Sequence, residues 1–187
     1  MNQLLLMDQR LFLFINHLPH TALTDLFAKI LSGVGTAGII WFVLAIIFFL
    51  KEEKKDHWFF VPVILAGIGS WVLVEKIIKP LIGRARPTVE MGAMILGNNG
   101  DSFSFPSGHA TIAWAMAVVL SHKEPKLRWV LYVLAFFISL SRIYVGKHYP
   151  SDIIVGGLVG WGIGRGSLMV GHYLKKTRRQ KFREDSR

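Results

Sequence analysis

Ser141-Arg142-Ile-Tyr-Val-Gly-Lys-His148-Tyr-Pro-Ser-Asp152 joins two apolar runs, residues 129–145 and 152–173, and puts charge into the end of each. Either those runs do not cross a membrane, or the charges serve a purpose inside one. A charged side chain in a membrane segment costs about 2.5–3.5 kcal/mol on insertion scales, so such residues usually face a cavity and mark function. The same intrusion occurs twice more. Lys79-Pro-Leu-Ile-Gly-Arg-Ala-Arg86-Pro87 ends one apolar run, and Pro106-Ser107-Gly108-His109 opens another. The intruders are all groups that could serve chemistry, and the runs are therefore read as membrane spans.

Residues 30–50 carry no charge over 21 positions, enough for the ~20 residues that cross a bilayer core. Residues 57–78 form a second run with Glu75-Lys76 near its end, and residues 105–121 a third. With 129–145 and 152–173 this predicts an all-α integral membrane bundle of about five transmembrane helices. The segment 4–18 is apolar but interrupted by Asp8-Gln9-Arg10 and Asn16-His17. It is too short to span and is expected to lie as a helix in the interface. The whole of 1–187 is expected to be one domain, with an interfacial helix (1–20), a bundle (25–173) and a basic tail (174–187).

Composition agrees. Hydrophobic residues make up 52% of the chain and mean hydropathy is +0.42, too apolar for an ordinary soluble domain. Without cysteine there is no disulfide and no thiolate ligand or nucleophile. The net charge of +10 lies largely in the C-terminal tail and two short loops, not in a stripe interleaved with stacking aromatics, which argues against nucleic acid. The N-terminus lacks a basic region and a small-residue cleavage site, so no removable signal peptide is expected. Lys51, Lys54 and Lys55, then Lys123, Lys126 and Arg128, then the tail follow the first, third and fifth runs. The positive-inside rule makes that side cytoplasmic. The three polar motifs then meet on the opposite face.

Together the motifs describe a phosphate site. Lys79, Arg86 and Arg142 supply fixed cations for phosphate oxygens. Pro106-Ser107-Gly108 opens a helix, with Pro106 expected in its first turn and the Ser107 and Gly108 N–H groups free for an anion. Pro150 breaks the chain after His148, so a helix starting with Ser151 as N-cap puts Asp152 in its first turn. A carboxylate that holds one imidazole nitrogen as N–H leaves the other free to attack. Arg84 reads as a juxtamembrane cation snorkelling to the interface. His17, His20, His57, His122 and His172 lack comparable neighbours and read as interface residues. Glu75-Lys76 is either a local pair or a cavity wall. The outer face offers only Glu90, Asp101 and Asp152 as carboxylates, too few for two metal ions about 3.5–4 Å apart, so no metal or cofactor is expected. Gly33-Val-Gly35-Thr-Ala-Gly38 fits a dinucleotide fingerprint but lies in an apolar run without βαβ context. Gly156, Gly160 and Gly164 recur every four residues, which lets a neighbouring helix approach.

The lysine–six–arginine–proline, PSGH and SR–five–H–three–D pattern resembles the signature of the type 2 phosphatidic acid phosphatase superfamily over roughly residues 25–173. That resemblance implies a lipid phosphatase with His148 as nucleophile forming a phosphohistidine, Asp152 as its orienting partner and His109 as general acid. Larger members commonly have six spans, and this chain lacks the first. The implied substrate is a lipid phosphate or diphosphate, best matched to undecaprenyl diphosphate, with phosphatidylglycerophosphate, phosphatidic acid and lipid A as alternatives. The implied place is the inner (plasma) membrane with the site outside, among membrane lipids and with no obligate protein partner. A transporter would spread charge through the depth of several helices, whereas here only Arg165 departs from one face.

Overall fold

The computed structural model describes residues 3–34, 38–51, 56–98 and 102–185, and all regular structure among them is helical. Asp101, Gly35 and the loop 52–55 lie outside the described residues. The helices are α1 (Gln3–Asn16), α2 (Ala22–Val34), α3 (Ile39–Lys51), α4 (Phe60–Trp71), α5 (Lys79–Ile82), α6 (Gly108–Lys123), α7 (Arg128–Tyr144) and α8 (Pro150–Asp185). A π-helical segment, Val72–Ile78, joins α4 to α5. Three helical stretches are long and apolar enough to cross a membrane, His57–Ile82, Pro125–Tyr144 and Pro150–Lys181, and Ile39–Lys51 is a shorter apolar helix.

The second, fourth and fifth runs thus appear as helices close to their expected bounds, the last extending well past residue 173. The first does not. Residues 30–50 are divided between the end of α2 and α3. Gly38 stands at φ +72°, where a Cβ would lie 2.4 Å from Ile112 Cδ1. A backbone in the left-handed region ends a helix, and hydropathy alone does not register it.

α6 is the centre. Its Ala110, Ala113, Ala115, Met116, Ala117, Val119 and Leu120 are all buried, as expected of a helix apolar on every side. α4, α7 and α8 pack around it, and Trp41, Val63, Leu131 and Ile138 close the core. The glycines of α8 are what bring it near. A Cβ on Gly156 would lie 2.7 Å from Ser107 O, one on Gly160 2.1 Å from Thr111 O, and one on Gly164 2.6 Å from Ala115 O. Each therefore meets α6 backbone directly, one turn after another, as their spacing predicts. This close seam carries the start of α8, with Asp152, up against the start of α6, with Ser107.

Candidate functional site

Three helix ends converge here, and capping explains why. Ser107 is the N-cap of α6, its hydroxyl accepting from Ala110 N at 3.4 Å. Pro106 stands one residue before the cap, outside the first turn, after a cis Phe105–Pro106 bond. Ser107 N–H is not free for an anion as the sequence suggests: it donates to Asp152 O at 3.0 Å. Gly108 N–H has no hydrogen-bond partner among the described residues. α8 begins at Pro150, so Ser151 lies inside the first turn and is not the cap. Its N–H donates instead to Asp8 Oδ1 of α1 at 2.9 Å and its hydroxyl to Asp8 Oδ2 at 2.6 Å. Asp152 reaches back to accept from Tyr149 N–H at 2.8 Å, as the third residue of a capping box does.

His148 lies on the short connection between α7 and α8 and is buried. Its Nδ1 faces Asp152 Oδ2 and Ser104 Oγ, each at 3.5 Å, and its Nε2 faces Arg86 Nη1 at 3.4 Å. Burial pushes the imidazole down to about 4 from 6.5, against the raising effect of its bond to Asp152, and the charges of Arg142 and Arg86 add to the lowering. It is therefore neutral near pH 7 and able to act as a nucleophile. Asp152 is buried and fully engaged. Ser104 Oγ donates to Oδ2 at 2.5 Å, and Arg84 Nη1 donates to Oδ1 at 2.7 Å.

The cations gather around His148. Arg86 donates through Nε to Ser102 O at 2.7 Å, through Nη2 to Ser102 Oγ at 2.9 Å and through Nη1 to Lys147 O at 3.0 Å. Lys79, at the start of α5, is buried and donates to Glu75 Oε1 at 2.7 Å and Ser102 Oγ at 3.3 Å. Arg142, also buried, bonds through Nη1 to Ser32 of α2 and leaves Nε without a partner. His109 lies on the first turn of α6, and the charges bearing on it are those of Arg142, His148, Lys147 and Lys79. The charge of Arg86 bears on Arg142. The structure thus brings Lys79, Arg86, Arg142, Ser107, Gly108, His109, His148 and Asp152 to one end of the bundle.

Two expectations change. Arg84 is not a snorkelling cation. It lies over the Tyr149 ring at 4.0 Å and joins Asp152, Ser151 and Asp8, with Nη2 to Asp8 Oδ2 at 2.6 Å. Glu75 is a partner of Lys79, while Lys76 turns away over the Trp71 ring. Sequence reasoning missed Asp8, Ser102 and Ser104. Asp8 did leave a signal, a carboxylate inside an apolar segment, but the two serines left none. Among the described residues no group of three His, Asp or Glu side chains could hold a metal ion.

A family model, the PAP2 superfamily, matches residues 60–176. A lipid A 4'-phosphatase of Bacteroides thetaiotaomicron is 29% identical, with 82% of this chain and 72% of that protein covered. An undecaprenyl-diphosphatase of Sulfolobus acidocaldarius is 31% identical, with 80% of this chain and 71% of that protein covered. The crystal structure of Aquifex aeolicus LpxE superposes with a TM-score of 0.69 at 31% identity, covering 86% of this chain and 93% of that one.

Proposed function

The chain belongs to the PAP2 superfamily and is a membrane lipid phosphatase, and we propose that it removes the terminal phosphate of a lipid phosphate or diphosphate through a phosphohistidine on His148. The observation that carries this is the setting of that ring: Nδ1 toward Asp152, Nε2 toward Arg86, and cations around it. Nε2 attacks phosphorus, an N–P bond forms and the P–O bond to the lipid breaks. His109 gives its proton to the leaving oxygen. Water then attacks phosphorus, a new P–O bond forms as the N–P bond breaks, and a water proton passes to His109, so that phosphate and free imidazole result. Charge spreading over the equatorial oxygens is met by Lys79, Arg86, Arg142 and the opening of α6 at Gly108. Those cations do the work a metal would do elsewhere, and the reaction is metal-independent.

Undecaprenyl diphosphate is the substrate this site fits best. Lys147 adds a fourth cation beside the three of the signature: its charge bears on His109, and those of Arg142 and Arg86 bear on it. A diphosphate carries the extra charge to use it. Lipid A is the second reading, favoured by the lipid A 4'-phosphatase relative. Five spans, formed by α3, the helix His57–Ile82, α6, α7 and α8, leave the basic end of α8 cytoplasmic and the site on the outer face of the inner (plasma) membrane. Single cysteines should then label from outside at Asn98 and from inside at Lys126 and Lys176.

The deciding experiment is phosphate release by purified protein from undecaprenyl diphosphate, lipid A, phosphatidylglycerophosphate and phosphatidic acid, with and without EDTA, alongside trapping of acid-labile phosphoprotein. Turnover unaffected by chelation and a phosphoenzyme absent from His148→Ala are expected. His109→Ala should lose most on an alkyl phosphate, less on a diphosphate and least on an aryl phosphate, because a weakly basic leaving group needs little acid. Equal losses in both variants on every substrate would refute the two roles.

A further inference from the structure

Glu75 puts an anion among the cations that should receive phosphate. Its Oε1 accepts from Lys79 Nζ at 2.7 Å. The same oxygen is the nearest heavy atom to a Cβ built on Gly108, only 2.9 Å away. Gly108 is the first residue of α6, so this carboxylate rests on the positive end of the helix macrodipole, where an incoming anion would be drawn. Arg86 feels its charge as well. The Glu75 side chain is 31% exposed where that of Lys79 is 5% exposed, so the carboxylate meets the ammonium from the open side of the site. The backbone beneath it is π-helical, with Lys79 N–H bonded to Val74 O. Single π turns of this kind are frequent at functional sites.

A cluster of buried cations is costly unless something neutralises it. A phosphate dianion arriving at Lys79 and Gly108 must take the place the carboxylate holds, because two anions so close repel each other. We propose that Glu75 is a resident counter-anion which phosphate must displace, so that it weakens the site's hold on the phosphate group and speeds loss of inorganic phosphate after each turnover. This rests on the cluster being the phosphate site proposed above. Glu75 then acts on binding and release, not on bond cleavage.

Titration of inorganic phosphate into the detergent-purified full-length chain tests this without reference to turnover. Glu75→Gln keeps the shape and a carbonyl for Lys79 but removes the charge. Phosphate should bind it about tenfold more tightly than wild type, the scale of one partly exposed charge interaction. The inhibition constant of phosphate as product and the KM for substrate should fall with it. Unchanged or weaker phosphate binding by a Glu75→Gln protein that melts like wild type would overturn the inference, since the carboxylate would then serve only to hold Lys79 in position. Glu75→Ala is the second variant, and it too should bind phosphate more tightly. Failure of both to fold would also overturn it, by making Glu75 a structural necessity. If wild type itself binds no phosphate, the phosphate-site reading falls and takes this inference with it.

Discussion

Gly160 and Gly162 stand two residues apart on α8, and the same substitution at each should act with opposite sign. A Cβ on Gly160 would lie 2.1 Å from Thr111 O, and reaching even the 3.0 Å floor of real Cβ contacts requires 0.9 Å of movement between α6 and α8. The obstructing atom is backbone in the central helix, so no side chain can swing aside. Overpacking of this kind costs about 1–3 kcal/mol, against a gain of about 0.8–1.0 kcal/mol for alanine over glycine in a helix. The net change runs from about zero to a loss of about 2 kcal/mol, or up to about 8 °C in Tm for a chain of this size. Gly162 has nothing within 4 Å of its Cβ position, so Gly162→Ala keeps only the helix gain and its Tm should hold or rise by about 2–4 °C. Function should follow the same split. The seam holds Ser107 N–H on Asp152 O, and a shift of about 1 Å at a reacting site can cost about 10²-fold in rate. Thermal unfolding of both variants in one detergent, with phosphate release measured in parallel, decides the matter. Equal changes in Tm at the two positions would refute the claim that α8 is held against α6 by backbone contact.

Other consequences can be measured separately. Asp8→Ala removes the acceptor for Ser151 N–H and one partner of Arg84. It should cost about 1 kcal/mol in stability as a lost helix cap does, and lower kcat less than His148→Ala, as read from unfolding and turnover together. Lys147→Met should raise KM about tenfold for a lipid diphosphate while leaving a monophosphate of the same lipid nearly unchanged; equal effects would remove the argument for a diphosphate. His148 titrates near 4 in the fold and 6.5 when unfolded, so between those values the unfolded chain binds more protons and stability falls as pH falls. Acidification from about pH 7 to about pH 5 should therefore lower the Tm of wild type more than that of His148→Gln.

The polar side chains that intrude on apolar runs made most of the site legible, because a charge at such a depth is costly and has to be explained. Lys79, Arg86, Ser107, Gly108, His148 and Asp152 assemble at one end of the bundle for that reason. Arg84 was misread because its meaning lies in Asp8, 76 residues earlier in the chain, and local pattern sees only a cation at an interface. Ser104, bonded to Asp152 across 48 residues, is equally invisible, since a serine three residues before a helix cap is commonplace. The break between α2 and α3 escaped notice because hydropathy is additive along the chain while a positive φ at Gly38 is a property of one backbone torsion.

The bond between Asp8 and Ser151 joins residues 143 positions apart, the first helix to the last. Closing so long a loop is entropically costly, about (3/2)RT ln n, and nothing on either side of the bond supplies it alone. During synthesis the chain emerges from its N-terminus, so Asp8 can meet Arg84 early but has no Ser151 to accept from until the last helix has begun. His148 and Asp152 arrive in the same late segment. A nascent chain that holds its cationic motif, Lys79 to Arg86, and its PSGH turn is therefore still without the nucleophile and orienting carboxylate proposed above. A product truncated before His148 should therefore release no phosphate from any lipid substrate.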